Sequence, residues 1–330
     1  MHTTGRGDPD HSHEGLPPGH RHPHGRPGQG EDPTAPPSIG IVGAGRVGLA
    51  LGRAFGAAGW PVVAVASRDA GRREAFRAAI PDARAFSEPS GVLDEASLIF
   101  LTVPDDAIAP LAADLRLYSG QALVHTSGLL PSTVLEPAMA AGTEQASFHP
   151  LVAFAEPEAA VEALRGATIA IEGDAALVRL LGELAEAIGA QPVRLPVEGK
   201  AAYHAAAVLS AGGFVALLDA IAELGRGAGL DEAGALAIYA PLIRQSLLNA
   251  ERFGIDVALT GPIVRGDIGT LRAHLRAMAE LAPGAAGLYV AAARREIALA
   301  VARGSLAEPR AQEMAGLLDG AGNDGAGTIA

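Results

Sequence analysis

The stretch Ser38-Ile39-Gly40-Ile41-Val42-Gly43-Ala44-Gly45-Arg46-Val47-Gly48 constrains this chain more than any other. An apolar run of strand character comes first, then glycines at the spacing GxGxxG, then a helical pattern that opens at Arg46 and continues through Leu49, Leu51 and Phe55. In that order each glycine has a physical task. Gly43 permits a tight turn, Gly45 lets a pyrophosphate approach the backbone, and Gly48 lets helix and strand pack closely; the free N–H groups of the helix start then face the phosphates. The loop Gly43, Ala44, Gly45, Arg46, Val47 and Gly48 is therefore the expected cofactor cradle, and a second strand signal over 62–66 stands where a βαβ unit needs it. The bland alternative is a glycine turn kept for packing alone.

Strand and helix signals alternate from there on. Strands are expected over 39–42, 62–66, 98–103, 122–125, 145–148, 167–171 and 192–195, with a short one near 83–86, and helices over 46–58, 69–79 and 175–188. The run 98–103 is wholly apolar, as for a parallel strand buried on both faces. After Pro196 the strand signals stop, and helical periods appear over 200–225, 231–249, 268–281 and 284–302. The fold class expected is α/β: a Rossmann domain with a doubly wound, mostly parallel sheet, followed by an all-α C-terminal domain. The divisions expected are a disordered His/Gly/Pro-rich arm over 1–37, an NADP-binding domain over 38–196, a helical substrate and dimerisation domain over 197–318, and a flexible tail over 319–330.

Composition excludes several functions. A net charge of −12 argues against nucleic acid as a partner, because phosphate contacts need a basic face. Cysteine is absent, which removes disulfides and thiolate metal sites and fits a cytoplasmic location. No apolar run reads as long enough to span a bilayer and no secretory leader is evident, so no membrane partner is expected. His11, His13, His20, His22 and His24 lie in the arm without a scaffold to fix their geometry, so only adventitious metal binding is expected of them.

Open parallel sheets bind ligands beyond the carboxyl ends of their strands. Three such ends carry polar or turn residues: Val103-Pro104, Thr126-Ser127-Gly128 and His149-Pro150. Val103, Pro104, Thr126 and Ser127 are expected at the cofactor, and Ser127 and His149 at the substrate, with capping and loop-fixing as the competing roles. Strand two ends Val65-Ala66-Ser67-Arg68, with no carboxylate at the tip for a ribose 2′-hydroxyl. Ser67 and Arg68 suit a 2′-phosphate, so NADP is expected over NAD. Asp69 could take the NAD role if the strand ran longer. Lys200 and His204 are four residues apart and share a helix face. A desolvated lysine can deliver a proton to a developing alkoxide, and an imidazole can hold the oxygen; a surface charge and a satisfied core histidine are the alternatives. In the turn Thr260-Gly261-Pro262-Ile263-Val264-Arg265-Gly266-Asp267, Arg265 could clamp a carboxylate with Asp267 beside it, or the two could pair with each other.

These residues carry a resemblance. The pairing of a Rossmann domain with an all-α domain resembles the superfamily of 6-phosphogluconate dehydrogenase-like enzymes, in several of which the second domain begins with a catalytic Lys followed by an Asn four residues on. Lys200 matches the Lys, and His204 stands in place of the Asn. More closely, His125-Thr126-Ser127-Gly128, Ser147 through Leu151, Lys200 through His204, and Leu259 through Asp267 are similar to Rossmann-like proteins carrying a C-terminal domain of unknown function. That resemblance implies an NADP-dependent oxidoreductase that reduces a small 2-oxo acid, with ketopantoate the first candidate, Lys200 as general acid and His204 holding the carbonyl oxygen. It also implies a homodimer through the helical domain. An imine or deazaflavin-linked reductase and a non-catalytic NADP-binding module are the alternatives.

Overall fold

The structure, a computed structural model, describes residues 35–154 and 157–324. Of the expected arm, residues 1–34 and their histidines lie outside the described residues, as do residues 325–330 of the expected tail. By its internal contacts the chain divides into two units, Met1–His204 and Ala205–Ala330. The division falls later than the change of sequence pattern near residue 196, because the first turn of the helix that begins at Lys200 is bonded to the sheet of the first unit.

The first unit is built on an eight-stranded sheet in the order β3-β2-β1-β4-β5-β6-β7-β8. Its elements are β1 (Ile39–Val42), α1 (Arg46–Ala57), β2 (Val62–Ala66), α2 (Ala70–Ala79), β3 (Arg84–Phe86), α3 (Ser90–Leu93), β4 (Leu98–Leu101), α4 (Asp105–Asp114), β5 (Ala122–His125), β6 (Glu144–Pro150), α5 (Pro157–Leu164), β7 (Thr168–Gly173), α6 (Ala175–Ala187) and β8 (Gln191–Arg194). A 3₁₀ segment, Ser132–Ala138, crosses one face between β5 and β6. All strand pairs are parallel except β6 with β7. The strands β1 and β4 are buried at every position, which is why their sequences read as continuous apolar runs rather than alternations.

Alternation along the strands sends side chains to two cores. On one face Phe55 of α1 meets Phe100 of β4 and Phe148 of β6, with ring centroids 5.1–6.1 Å apart. Burial of each ring contributes roughly 1.5–3 kcal/mol. On the other face Leu101, Leu123 and Ile99 pack under Leu135 and Ala138 of the 3₁₀ segment. Towards β6 and β7 that second face changes from apolar to polar, since Ser147 and His149 flank Phe148 and point away from it.

The second unit takes in the later residues of α7 (Lys200–Val208), then α8 (Phe214–Gly227), α9 (Gly234–Ala237), α10 (Ala240–Phe253), α11 (Ile255–Ala258), α12 (Ile268–Leu281), α13 (Ala286–Ala302) and α14 (Glu308–Asp324). Its core joins Ile263, Leu271, Ile297, Met314 and Leu318. Residues 319–324, within the expected tail, are the last residues of α14. The expectation that no run could span a bilayer also needs correction. Helix α7, a π-type turn over Leu209–Gly213 and α8 form a continuous helical stretch, Val197–Gly227 with its leading turn, within which an 18-residue window reaches a mean hydropathy of 1.9 and is long and apolar enough to cross a membrane by length and composition. None of that window is buried.

Candidate active site

The glycine loop has the geometry its spacing implies. Gly43 has φ +112°, and a Cβ there would lie 2.6 Å from the Thr102 carbonyl oxygen. At Gly48 a Cβ would come within 2.1 Å of the Gly43 carbonyl oxygen, so α1 seats on β1 only because no side chain intervenes. Gly45 is different: a Cβ there would meet nothing within 4 Å. Its bareness serves no internal packing, and it borders open space at the start of α1. Thr102 locks the turn from β4 by donating its hydroxyl to the Gly43 carbonyl at 2.6 Å.

That open space is a cavity of about 830 Å³, within the range of small-molecule and cofactor sites. Gly43, Ala44, Gly45, Arg46 and Val47 line it, as do Ser67 and Arg68 at the tip of β2, Val103 and Pro104 after β4, and Thr126 after β5. Of the residues expected at the cofactor, Gly48 lies behind the loop, in the helix–strand contact, and Ser127 does not line the cavity. Asp69 is the N-cap of α2 and accepts from the Arg72 backbone N–H at 2.9 Å. That bond, together with the neighbouring guanidinium of Arg72, holds its carboxyl below the usual carboxylate range. Since β2 ends at Ala66, Asp69 caps the helix start rather than standing at the strand tip, though it too lines the cavity. Arg72 and Phe154, which sequence reasoning missed, also line the cavity. Arg72 stands four residues after Arg68, a spacing legible in the sequence; Phe154 carries no such signal.

A second group of polar residues lies on β5, β6 and β7 and in the turn after β5. His125 pairs with Ser147 across β5 and β6, and Ser147 with Glu172 across β6 and β7, so the three stand side by side on one face. Ser127 is buried, and its hydroxyl donates to Asp105 at 2.6 Å while accepting from the backbone N–H groups of Leu129 and Leu130. It therefore fixes the turn after β5. His125 Nδ1 accepts from the Ser127 backbone N–H, which leaves the ring proton on Nε2 to be donated to the Pro131 carbonyl. Only the neutral ring satisfies both bonds. Burial, helped by the charge of Lys200, lowers its pKa from 6.5 to about 4.

Lys200 is 3% exposed. Its Nζ donates to Ser147 Oγ at 2.7 Å and lies 3.5 Å from Glu172 Oε2. Burial pushes its pKa below the ordinary 10.5, against the pull of Glu172. It is also the one lysine in the chain; all other Lys/Arg positions are arginine. Sequence reasoning overlooked that signal. Glu172 accepts from the Ser132 backbone N–H at 2.9 Å, from Ser132 Oγ at 2.6 Å and from Ser147 Oγ at 3.3 Å. Neither Glu172 nor Ser132 was expected, because their meeting depends on strand register and on the 3₁₀ crossing.

His149 is half-buried, with Nδ1 3.1 Å from the Tyr203 hydroxyl, and burial lowers its pKa to about 4. His204 sits edge-on to it with ring centroids 5.7 Å apart. The buried Nδ1 of His204 has no hydrogen-bond partner. Both imidazoles press on Gly128, where a Cβ would come within 2.8 Å of each. Tyr203, whose pKa is raised by burial, was not expected here. The structure thus brings Ser127, His149, Lys200 and His204 to one end of the sheet. Arg265 and Asp267 belong to the other unit. There Asp267 is the N-cap of α12, accepting from the Thr270 backbone N–H at 3.0 Å and from its hydroxyl at 2.7 Å, bonds that hold its carboxyl low. Arg265 is exposed on the turn before that cap.

Comparison with known proteins agrees with this architecture. Residues 26–150 match the family model of a Rossmann-like domain, and residues 167–296 match that of a domain of unknown function, DUF2520. Among solved structures, a provisionally named NADP oxidoreductase from Bacteroides fragilis is 22% identical over 79% of this chain and 98% of that one, with a TM-score of 0.66. A protein from Thermotoga maritima is 26% identical over 80% of this chain and 99% of its own, at 0.61. A reductive aminase from Aspergillus terreus, in complex with NADPH and ethyl-5-oxohexanoate, is 17% identical over 89% and 96%, at 0.53. No curated protein matches the chain.

Proposed function

We propose that this chain, a Rossmann-like domain leading into a DUF2520 domain, is an NADPH-dependent reductase of small carbonyl compounds, with a 2-oxo acid, ketopantoate first, as the substrate to test. The cavity suits the cofactor: Gly45 offers bare backbone at a helix N-terminus, and Ser67 and Arg68 offer a hydroxyl and a guanidinium in place of a carboxylate. NADPH, when bound, supplies a hydride. Lys200 supplies the proton from Nζ, and the unpartnered Nδ1 of His204 is the group proposed to hold the substrate oxygen. The observation that carries this reading is the burial of the chain's one lysine ammonium, desolvated and with its pKa lowered, beside the carboxyl end of β5, on the side where open sheets bind ligands. In the helical unit Arg265 is the proposed partner of a substrate carboxylate, while Asp267 is occupied by its cap. A second copy is the proposed partner of the exposed apolar side chains Leu209, Val215, Leu242 and Leu248, and the proposed location is cytoplasmic.

Reduction of an imine is the second reading, favoured by the likeness to a reductive aminase bound to NADPH. The deciding experiment follows NADPH absorbance against a panel of 2-oxo acids and cyclic imines. Turnover of one class, lost in Lys200→Met with cofactor affinity kept, supports the proposal, and weaker NADPH binding in Arg68→Ala with NADH unaffected supports the phosphate contact. Tight NADPH binding without turnover on any substrate refutes the enzyme and leaves a binding module.

A further inference from the structure

We infer that Glu172 is a positioning residue for Lys200: with Ser132 and Ser147 it fixes the ammonium against β6 and β7, level with the carboxyl end of β5, keeps it charged, and leaves one N–H free for proton delivery. The inference rests on the reading of Lys200 as the proton donor.

The geometry closes on itself. Ser147 accepts from Lys200 and has one hydroxyl proton to give, which goes to Glu172. Glu172 is then an acceptor for Ser132 twice, for Ser147 once and for Lys200, so its carboxylate has no unmet partner. Of the three N–H bonds on Nζ, one points to Ser147 and one to Glu172, and the third finds no protein acceptor among the described residues. Four elements meet here: the 3₁₀ segment anchored by Leu135 and Ala138, then β6, β7 and α7.

Stability alone does not account for such a group. A buried ion pair recovers in Coulomb energy about what desolvation costs, and apolar residues of the same volume commonly do as well or better. Nor does a need for positive charge explain a lysine in a chain whose other basic residues are arginine. Arginine would keep its proton, whereas an ammonium can release one. The titratable groups acting on Lys200 are Glu172 from β7, Asp105 from α4, His125 from β5 and His149 from β6. Both imidazoles are neutral at physiological pH and Asp105 is bonded to Ser127, so Glu172 is the one carboxylate in direct contact.

A chain with a single lysine permits a direct test. Full-length protein labelled with ¹³C,¹⁵N-lysine gives one side-chain signal, and its pH titration reads Lys200 without any substrate. In Glu172→Gln the midpoint is expected to fall by about 1 to 3 pH units, and Glu172→Asp to restore part of the fall. An unchanged midpoint in a folded Glu172→Gln protein overturns the inference. If that variant does not fold, the wild type decides: an Nζ resonance protected from solvent exchange at neutral pH supports the buried pair, and its absence overturns it. With turnover established, kcat of Glu172→Gln should be lost at a lower pH than wild type, in step with the midpoint, while KM for NADPH holds. A midpoint that moves in a protein without turnover retires the reductase and keeps the pairing. Lys200-dependent turnover with an unmoved midpoint does the reverse.

Discussion

Acid should loosen the turn after β5, and His125 sets how much. The native ring titrates at about 4 and the unfolded one at 6.5, so between these values the unfolded chain binds more protons. Stability therefore falls as pH drops from above 6.5 towards 4. The full gap is worth about 3 kcal/mol below both values, and about 2 kcal/mol has been lost by pH 5. The structural cause is specific: a second ring proton would have to sit on Nδ1, which accepts from the Ser127 backbone N–H. Protonation thus opposes the turn carrying Thr126 and Gly128. Trp60 is the chain's one tryptophan and packs against the core of the first unit, so its fluorescence in urea follows that unit alone. Wild type and His125→Asn are compared at pH 7 and pH 5. The variant is less stable at pH 7, having lost two hydrogen bonds, but should lose about 2 kcal/mol less on acidification. His149 contributes to the pH dependence of both proteins and cancels from the difference. Equal pH dependence in the two proteins would refute the reasoning.

Two further perturbations separate packing from binding and test assembly. Gly48→Ala drives a Cβ against the backbone of Gly43 and should cost about 1–3 kcal/mol in the Trp60 unfolding curve. Gly45→Ala meets nothing and should leave that curve in place while weakening NADPH by about tenfold or more; unchanged affinity argues against a cradle there. Light scattering should give twice the chain mass of 33.3 kDa, and Leu242→Glu with Val215→Glu should halve it; a wild-type monomer removes the dimer.

Much of the first unit was legible because its determinants are local. The strand β1, its glycines and α1 are one contiguous stretch, and each glycine's task follows from the turn it makes. The wholly apolar β4 announced its place in the sheet in the same way. Within the candidate site, His149 and Lys200 stood out in the sequence as residue types suited to chemistry at a strand end and a helix start. The site was illegible where partners meet through register. Glu172, in Ala-Ile-Glu-Gly near the end of β7, has the look of a solvated charge until the antiparallel pairing sets it opposite Ser147. Ser127 looked able to serve a ligand until the fold spent its hydroxyl on Asp105. The continuation of α14 to Asp324 is not advertised by its glycine-rich sequence.

The solitary lysine also governs how this molecule meets reagents and modifying enzymes. Apart from the chain's α-amino group its sole primary amine is closed off beneath the sheet, so amine-directed crosslinkers, acyl donors and isopeptide-forming enzymes find almost no foothold on the folded surface. Any acylation of that side chain would then be clocked by the rate at which the region around β6 and β7 comes apart, making a simple mass measurement a gauge of local breathing.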